Sequence, residues 1–261
     1  MTTTVARFTA PLLLAALALL LIAASARAAE SAAAPPAPGD AAALRAIARE
    51  ELGIDARVGY TGDRTIESSQ VGRTVVLREF RMPGKMRVEF EESGQQIVMI
   101  LDEAASTAYM MLPALSAYST LSMQEFQARA WESLDLLDFE KLDRAVVNGH
   151  DATRYRVSWR DPEGNQGQGF HWVTDDGVAI RMDVTYDSPE KSGERIVLDL
   201  KNLVVGPQDP ALFLRPANYL ELPSIEGVLG TIQGIGAAPA GSGALDLDAL
   251  QKELGNLLLG Q

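Results

Sequence analysis

The chain has 261 residues, of which 47% are hydrophobic and 22% are charged, and its formal net charge is -12. An excess of negative charge argues against binding to nucleic acid and against an electrostatic attachment to anionic lipid. The chain has no cysteine, which excludes disulfides, thiol nucleophiles, thiolate metal sites and lipoprotein anchors on cysteine.

The first 28 residues have the order of a cleavable export signal. Arg7 precedes an apolar run from Pro11 to Ala24, and the small-residue site 26–28 follows, so we expect cleavage after Ala28, with cleavage after Ala29 as the alternative. The alternative is an uncleaved membrane anchor, although the run is shorter than the roughly 20 apolar residues of a spanning helix. We therefore predict a periplasmic or secreted protein without stable membrane insertion. Loss of Arg7 and Arg27 with the signal takes the net charge from -12 to -14.

The next two segments are a tether and a helix. Residues 29–39 are rich in alanine and proline, a composition typical of a linker. Asp40 is a suitable N-cap and Gly53 a suitable stop, which predicts an N-terminal helix over residues 40–52.

From residue 57 to residue 203 the chain consists mainly of short segments in which apolar and charged residues alternate. Met86, Val88 and Phe90 fall on one side of such a segment, and Arg87 and Glu89 on the other. Because strand side chains alternate with period two, each segment predicts a β-strand with one apolar face. The turn signals are Pro83-Gly84, Ser93-Gly94, Asn148-Gly149 and Asp176-Gly177. The predicted strands are residues 57–68, 74–82, 86–91, 95–102, 107–112, 140–147, 152–160, 166–174, 178–186 and 195–203.

Two segments depart from this pattern. Between residues 123 and 137 the apolar residues recur every three or four positions, which predicts a helical insert. Residues 223–261 begin with a Gly-rich linker and end in an amphipathic C-terminal helix that carries Leu247, Leu250, Leu254, Leu257 and Leu258. We therefore expect one domain over residues 40–222. Its fold class is mainly β with flanking helices, built on a strongly curved antiparallel sheet in up-and-down order, closed or half closed.

Several sequence segments in the strand region resemble those of the LolA-like superfamily of periplasmic lipoprotein carriers. The resemblance is strongest to a branch known only as a domain of unknown function. The resemblance covers about residues 57–222. It rests on segments that form strands and turns, and these segments carry no catalytic signature. It implies an open half-barrel of antiparallel strands with helices over its concave side. Some relatives carry acyl chains or lipoproteins and others sense the state of the envelope, but no functional residue can be transferred to this sequence. The similar segments are residues 86–90, 97–102, 108–113, 148–155, 172–174, 177–178, 200–203 and 207–210, followed by Leu212, Phe213, Pro216 and Tyr219.

Aromatic, methionine and branched residues of the predicted strands are the candidate ligand-binding residues. They could line a cavity for an acyl chain, since flexible and polarizable methionine suits chains of varied shape. The alternative is an ordinary packed core, which would use the same residue types. The candidate residues are Phe80, Met82, Met86, Val88, Phe90, Tyr155, Trp159, Phe170, Trp172, Ile180 and Met182.

No catalytic residue, metal site or cofactor is predicted. His150 and His171 are the only histidines, and neither belongs to a metal-binding pair. The chain has no Gly-x-Ser-x-Gly elbow, no Ser-x-x-Lys motif and no phosphate-binding loop. The arginines Arg154, Arg156, Arg160 and Arg181 could form an anion or partner site, but cross-strand pairing with acidic residues such as Asp183, Asp199 and Glu163 is the simpler interpretation.

The sequence therefore predicts a non-enzymatic binding protein that shelters an apolar ligand, namely an acyl chain, a lipid or a lipid-modified protein. The alternative hypothesis is an interaction or regulatory module of the envelope. Such a module would have a fully packed sheet, no small ligand and a protein partner bound through its C-terminal helix.

Overall fold

A single large sheet dominates the computed structural model. The structure describes residues 47–48, 50–53, 56–69, 74–92, 94–122, 135–160, 164–187 and 193–222. The export signal, the tether, the start of the N-terminal helix and everything predicted beyond residue 222 lie outside the described residues. Among those that are described, no helix has the length and hydropathy to cross a membrane.

The sheet has twelve strands in two consecutive series. The first series is β1 (Tyr60–Ser68), β2 (Thr74–Met82), β3 (Lys85–Glu92), β4 (Gln95–Asp102), β5 (Thr107–Leu112) and β6 (Ala117–Ser122). The second is β7 (Asp135–Val147), β8 (His150–Arg160), β9 (Gln166–Thr174), β10 (Ala179–Asp187) and β11 (Glu194–Val205), and it is followed by β12 (Leu220–Glu221). Single turns of 3-10 helix occupy Pro113–Leu115 and Pro210–Phe213.

The spatial order of the strands differs from a single up-and-down meander. It is β12-β6-β5-β4-β3-β2-β1-β11-β10-β9-β8-β7, so β1 and β11 join two meanders at the middle of the sheet. The chain passes from β6 near one edge to β7 at the other. All neighbouring pairs are antiparallel except β12 with β6, and the two edge strands do not pair with each other. The sheet is therefore open.

Most predicted strands agree with the observed ones to within two residues at each end, and the short strand β12 was not predicted. Larger differences occur at β1, β7 and β6. The predicted first strand begins at residue 57, whereas β1 begins at Tyr60. Strand β7 begins at Asp135, so the end of the predicted helical insert, residues 135–137, is strand, and the rest of that insert lies outside the described residues. Strand β6 was not predicted, because its sequence Ala-Tyr-Ser-Thr-Leu-Ser has few large apolar residues to mark a buried face.

The hairpin turns form where the turn residues predict them. Asn148 and Gly149 both have positive φ, 50° and 85°, between β7 and β8. This pair of left-handed residues is the geometry of a two-residue type I′ turn, whose twist matches that of the flanking strands. Gly177, with φ 78°, closes the turn between β9 and β10 in the same region of backbone space.

Candidate functional site

One face of the sheet carries a continuous apolar cluster, and we call this face the inner face. The cluster takes buried residues from every strand except β7 and β12, including Met86 and Phe90 on β3 and Trp159 on β8. The N-terminal helical turn contributes Ala48 and Leu52, which are 1% and 0% exposed. The two meanders therefore share one apolar layer.

The candidate residues from the sequence divide between the two faces. Those on the inner face are Met86, Val88, Phe90, Tyr155, Trp159 and Met182 in the main cluster, and Ile180 in an adjoining one.

Phe80 and Met82 lie on the opposite, outer face. They pack there with Val98, Ile100 and Phe213. The segment that follows β11 crosses this face, and the carbonyl of Leu212 accepts a hydrogen bond from Arg87 Nη1 at 3.0 Å. These two residues therefore belong to a separate cluster beneath the C-terminal part of the described chain.

Phe170 and Trp172 also lie on the outer face. His171 between them is directly opposite Tyr155 on β8 and Met182 on β10, which are inner-face residues. Since neighbours along a strand point to opposite faces, Phe170 and Trp172 point away from the main inner cluster. Trp172 packs instead against the adjoining cluster that contains Ile180. Phe170 remains 37% exposed. Alternation predicts which residues share a face within each strand, but it does not specify how neighbouring strands align.

A polar cluster interrupts the inner face where β1 meets β2. It consists of Tyr60, Arg64, Glu79 and Arg81, all of which are at most 7% exposed. Glu79 is the centre: its carboxylate accepts from Arg64 Nε at 2.6 Å and from the Tyr60 hydroxyl at 2.7 Å, and it lies 3.3 Å from Arg81 Nε. The cluster is therefore an ion-pair network in which the Tyr60 hydroxyl donates a further hydrogen bond to the shared carboxylate.

The protonation states in the polar cluster follow from this arrangement. Burial alone raises the pKa of Glu79, but the guanidiniums of Arg64 and Arg81 outweigh it and hold that pKa below its usual value. Burial, together with the adjacent Glu79 carboxylate, raises the pKa of Tyr60 to about 12. Glu79 is therefore ionised and Tyr60 neutral at physiological pH.

The Arg64 side chain links the two meanders. Its Nη2 donates to the carbonyl of Ala179 on β10 at 3.2 Å, passing over β11. Its positive charge also reaches His171 on β9. Burial first, and Arg64 second, lower the pKa of His171 to about 4. His171 is therefore a neutral imidazole at physiological pH.

This polar cluster was not among the features predicted from the sequence. A signal was present, because the charged residues Arg64, Glu79 and Arg81 occupy the same alternating positions as the buried residues Ile66 and Leu77. Charged residues at inward positions of a strand are expensive to bury and need partners.

The N-terminal helical turn attaches to the inner side through Tyr155. The Tyr155 hydroxyl donates to Glu51 Oε2 at 2.7 Å. Gly53, at the end of the helical turn, comes so close to the backbone of Gly177 that an added Cβ would lie 2.5 Å from its carbonyl oxygen. The helical turn is therefore fixed near β8 and the turn between β9 and β10.

Arginines on the outer face are paired with acidic residues, as the simpler interpretation of the sequence predicts. Arg154 bonds to Asp143 at 2.8 Å, Arg156 pairs with Glu140, and Arg181 lies 3.6 Å from Asp183 and 3.7 Å from Asp199. The guanidiniums of Arg154 and Arg181 also lie over the rings of Phe170 and Trp172, at 5.1 and 5.7 Å. Glu163 lies outside the described residues.

No group of three or more potential metal ligands occurs in the described part of the chain. His150 occupies the first position of β8. His171 lies on β9, where Arg64 is the charged group that acts on it.

Comparison with known proteins returns similar solved structures only. No protein-family model matches the chain, and no curated protein matches it. An uncharacterised conserved protein from Thermus thermophilus aligns with 11% identity over 69% of this chain and 98% of its own, with a TM-score of 0.46. A MucA/MucB complex structure from Pseudomonas aeruginosa aligns with 12% identity over 69% of this chain and 62% of that one, with a TM-score of 0.40.

A LolA superfamily protein from Nitrosomonas europaea aligns with 11% identity over 65% of this chain and 96% of its own, with a TM-score of 0.35. One of the solved structures similar to this chain therefore belongs to the superfamily that the sequence segments resemble. The sequence identities are low, so the function of this chain has to be argued from its own residues.

Proposed function

We propose that the protein is a non-enzymatic binding protein whose sheet forms a half-barrel and shelters an apolar ligand on its inner face. The ligand is the acyl chain of a lipid or of a lipid-modified protein. The observation that carries the proposal is the single apolar cluster that runs along the inner face of both meanders of an open sheet.

The open sheet supports a binding role because no ladder of hydrogen bonds closes it into a barrel. Edge strands β7 and β12 do not pair with each other, so a chain could reach the inner face without breaking a ladder hydrogen bond. Closed barrels abolish such edges. Bonds across several strands support the half-barrel shape: Arg64 reaches β10 over β11, and Asn148 Nδ2 donates to the carbonyl of Leu200 on β11 at 2.8 Å.

The composition of the inner cluster supports an acyl ligand. Met86, Met99, Met110 and Met182 lie in it together with Trp159. Unbranched methionine side chains adjust to ligands of different shape. Burial of apolar surface, at about 25 cal/mol per Å², is the driving force that such a face offers.

Export from the cytoplasm is part of the proposal. It rests on the order of basic, apolar and small residues over residues 1–28. Fractionation of cells that produce the full chain, with N-terminal sequencing of the product, tests it. A protein that starts at residue 29 or 30 outside the cytoplasm is expected, and an uncleaved cytoplasmic protein contradicts it.

Lipid content and Trp159 fluorescence test the binding role. Trp131 and Trp172 are replaced by phenylalanine, so that Trp159 on the inner face is the only tryptophan. We expect lipid in solvent extracts of the purified protein, and a change in Trp159 emission when laurate is added. A folded protein without extractable lipid and with unchanged emission would favour the packed interaction module. Hydrolysis of added esters would contradict the non-enzymatic role.

A further inference from the structure

His171 is an unusual member of the inner face, because its Nε2 is buried and has no hydrogen-bond partner among the described residues. The side chain is only 6% exposed. It is directly opposite Tyr155 on one side and Met182 on the other, and both belong to the apolar cluster. A buried polar atom without a partner destabilises the folded state, because it loses its hydrogen bonds to water and gains none in return. Such an atom in an otherwise bonded interior needs an explanation.

The surroundings of His171 favour a negatively charged partner. The charged group that acts on the imidazole is Arg64, and its positive charge disfavours a proton on the second ring nitrogen. Arg64 and Arg81 share the single carboxylate of Glu79, so the polar cluster keeps a net positive charge that attracts an anion to the N–H of the neutral ring. The Tyr155 hydroxyl donates to Glu51, and neither Tyr155 nor Met182 makes a hydrogen bond to Nε2.

We propose that His171 Nε2 binds the anionic oxygen head group of a single-chain amphiphile, and that the apolar cluster on both sides of it takes the chain. The structure thereby favours an acid over a neutral ester as the ligand. This inference rests on the proposed function, because the chain-binding face is the same. It assigns to that face a preference for a head group, which apolar burial alone does not provide.

The binding test compares three probes with the same twelve-carbon chain: laurate, methyl laurate and dodecyl phosphate. Their affinities are measured by Trp159 emission. Hydrogen bonds to charged groups are worth enough for at least about a tenfold preference for an anion over the ester. The substitution His171→Leu removes the hydrogen-bond donor and puts an apolar side chain in its place. The preference for an anion over the ester should therefore vanish, while the affinity for methyl laurate persists.

The two anionic probes separate the possible head groups. Tighter binding of laurate indicates a carboxylate, and tighter binding of dodecyl phosphate indicates a phosphate monoester. Either result supports the proposal.

A spectroscopic readout distinguishes this role from a purely structural one. The chain has two histidines, so the imidazole signals in NMR spectra can be assigned with the single replacement His150→Gln. Laurate should move the His171 signal more than methyl laurate does. Circular dichroism of His171→Leu verifies that the variant is folded.

The outcomes separate the two proposals. Equal affinities for all three probes, with an unmoved His171 signal, would overturn the head-group inference and leave the binding function standing. The same result together with a bound water on His171 in a high-resolution crystal structure would identify water as its partner. Absence of binding by any probe to the folded wild-type protein would overturn both.

Discussion

At the scale of single residues, Glu79 is the side chain on which the buried polar cluster depends. It is 1% exposed and contacts two guanidiniums and a phenol. Glu79→Gln keeps the size but removes the negative charge that Arg64 and Arg81 face. Because breaking a buried pair leaves an uncompensated charge, we expect the free energy of unfolding to fall by about 3 to 5 kcal/mol.

Urea unfolding measures this loss, and Glu140→Gln is the matched control. Glu140 pairs with Arg156 on the exposed outer face, where such a pair is worth about 0 to 1 kcal/mol. Equal effects of the two substitutions would contradict the central role of Glu79.

His171 gives a prediction for the pH dependence of stability. Its folded pKa of about 4 lies below the ordinary value of 6.5, so the unfolded chain takes up the proton first as the pH falls. The stability that depends on a neutral His171 is therefore fully present above about pH 6.5, and it is lost as the pH falls from about 6.5 to about 4. At about 1.4 kcal/mol for each pKa unit, His171 accounts for about 3 kcal/mol of this loss.

Unfolding free energies between pH 7 and pH 5 measure the slope in wild type, His171→Leu and His150→Gln. The slope should flatten in His171→Leu, which removes the titrating group that Arg64 faces. It should persist in His150→Gln. An unchanged slope in His171→Leu would show that other groups carry the pH dependence.

At the scale of elements, the pairing of β8 with β9 depends on a glycine. Gly167 is directly opposite Trp159, and a Cβ at that position would lie 2.2 Å from the indole ring. Gly167→Ala must displace Trp159 from the inner face. We expect a loss of about 1 to 3 kcal/mol, as is typical of overpacking, and a red shift of Trp159 emission.

Gly206→Ala is the control for this substitution. Gly206 has no described neighbour within 4 Å of an added Cβ, and its backbone is not left-handed. Its stability and emission should remain close to wild type. An unshifted emission in Gly167→Ala would mean that the indole tolerates the extra methyl group, and that β8 and β9 separate instead.

At the scale of the whole molecule, a ligand on the inner face must stabilise the folded state. At a concentration of 100 times its Kd, laurate adds about 2.7 kcal/mol, which should be visible as a rise in Tm. The two phenylalanines Phe90 and Phe170 test the location, because Phe90 is in the inner cluster and Phe170 on the outer face.

Phe90→Leu should reduce the rise in Tm, because part of the apolar lining is lost, whereas Phe170→Leu should leave it unchanged. The comparison uses the ligand-induced change within each variant, so that a loss of basal stability in Phe90→Leu does not affect it. A reduced rise in Phe170→Leu alone would place the ligand on the outer face.

The positions of most strands along the chain could be predicted because local patterns decide them. β2, β4, β5 and β9 begin and end at the predicted residues, since alternation and turn residues act over a few positions. β6 was missed because its small and polar residues carry no alternation of their own. These residues form a strand because they pair with β5. That pairing is a tertiary contact, which a local sequence preference does not encode.

The sequence predicted only in part which candidate residues share a face of the sheet. The inner positions on β3, β8 and β10 follow from alternation, but the assignment of Phe80, Met82, Phe170 and Trp172 to the same face required the register between strands. The register of β9 against β8 places Tyr155 opposite His171, and a shift by one residue would have exchanged the two faces of β9.

The sequence by itself determined that the protein is mainly β, without cysteine, acidic, and equipped with alternating apolar strands and tight turns, because each of these properties depends on composition or on neighbours in the chain. Only the tertiary structure decided that β1 and β11 join two meanders, that Arg64, Glu79 and Tyr60 meet in one buried cluster, and that His171 Nε2 lacks a partner among the described residues. Those features depend on pairing between residues far apart in the chain, and the free energy of such pairing depends on burial and register, which no local pattern encodes.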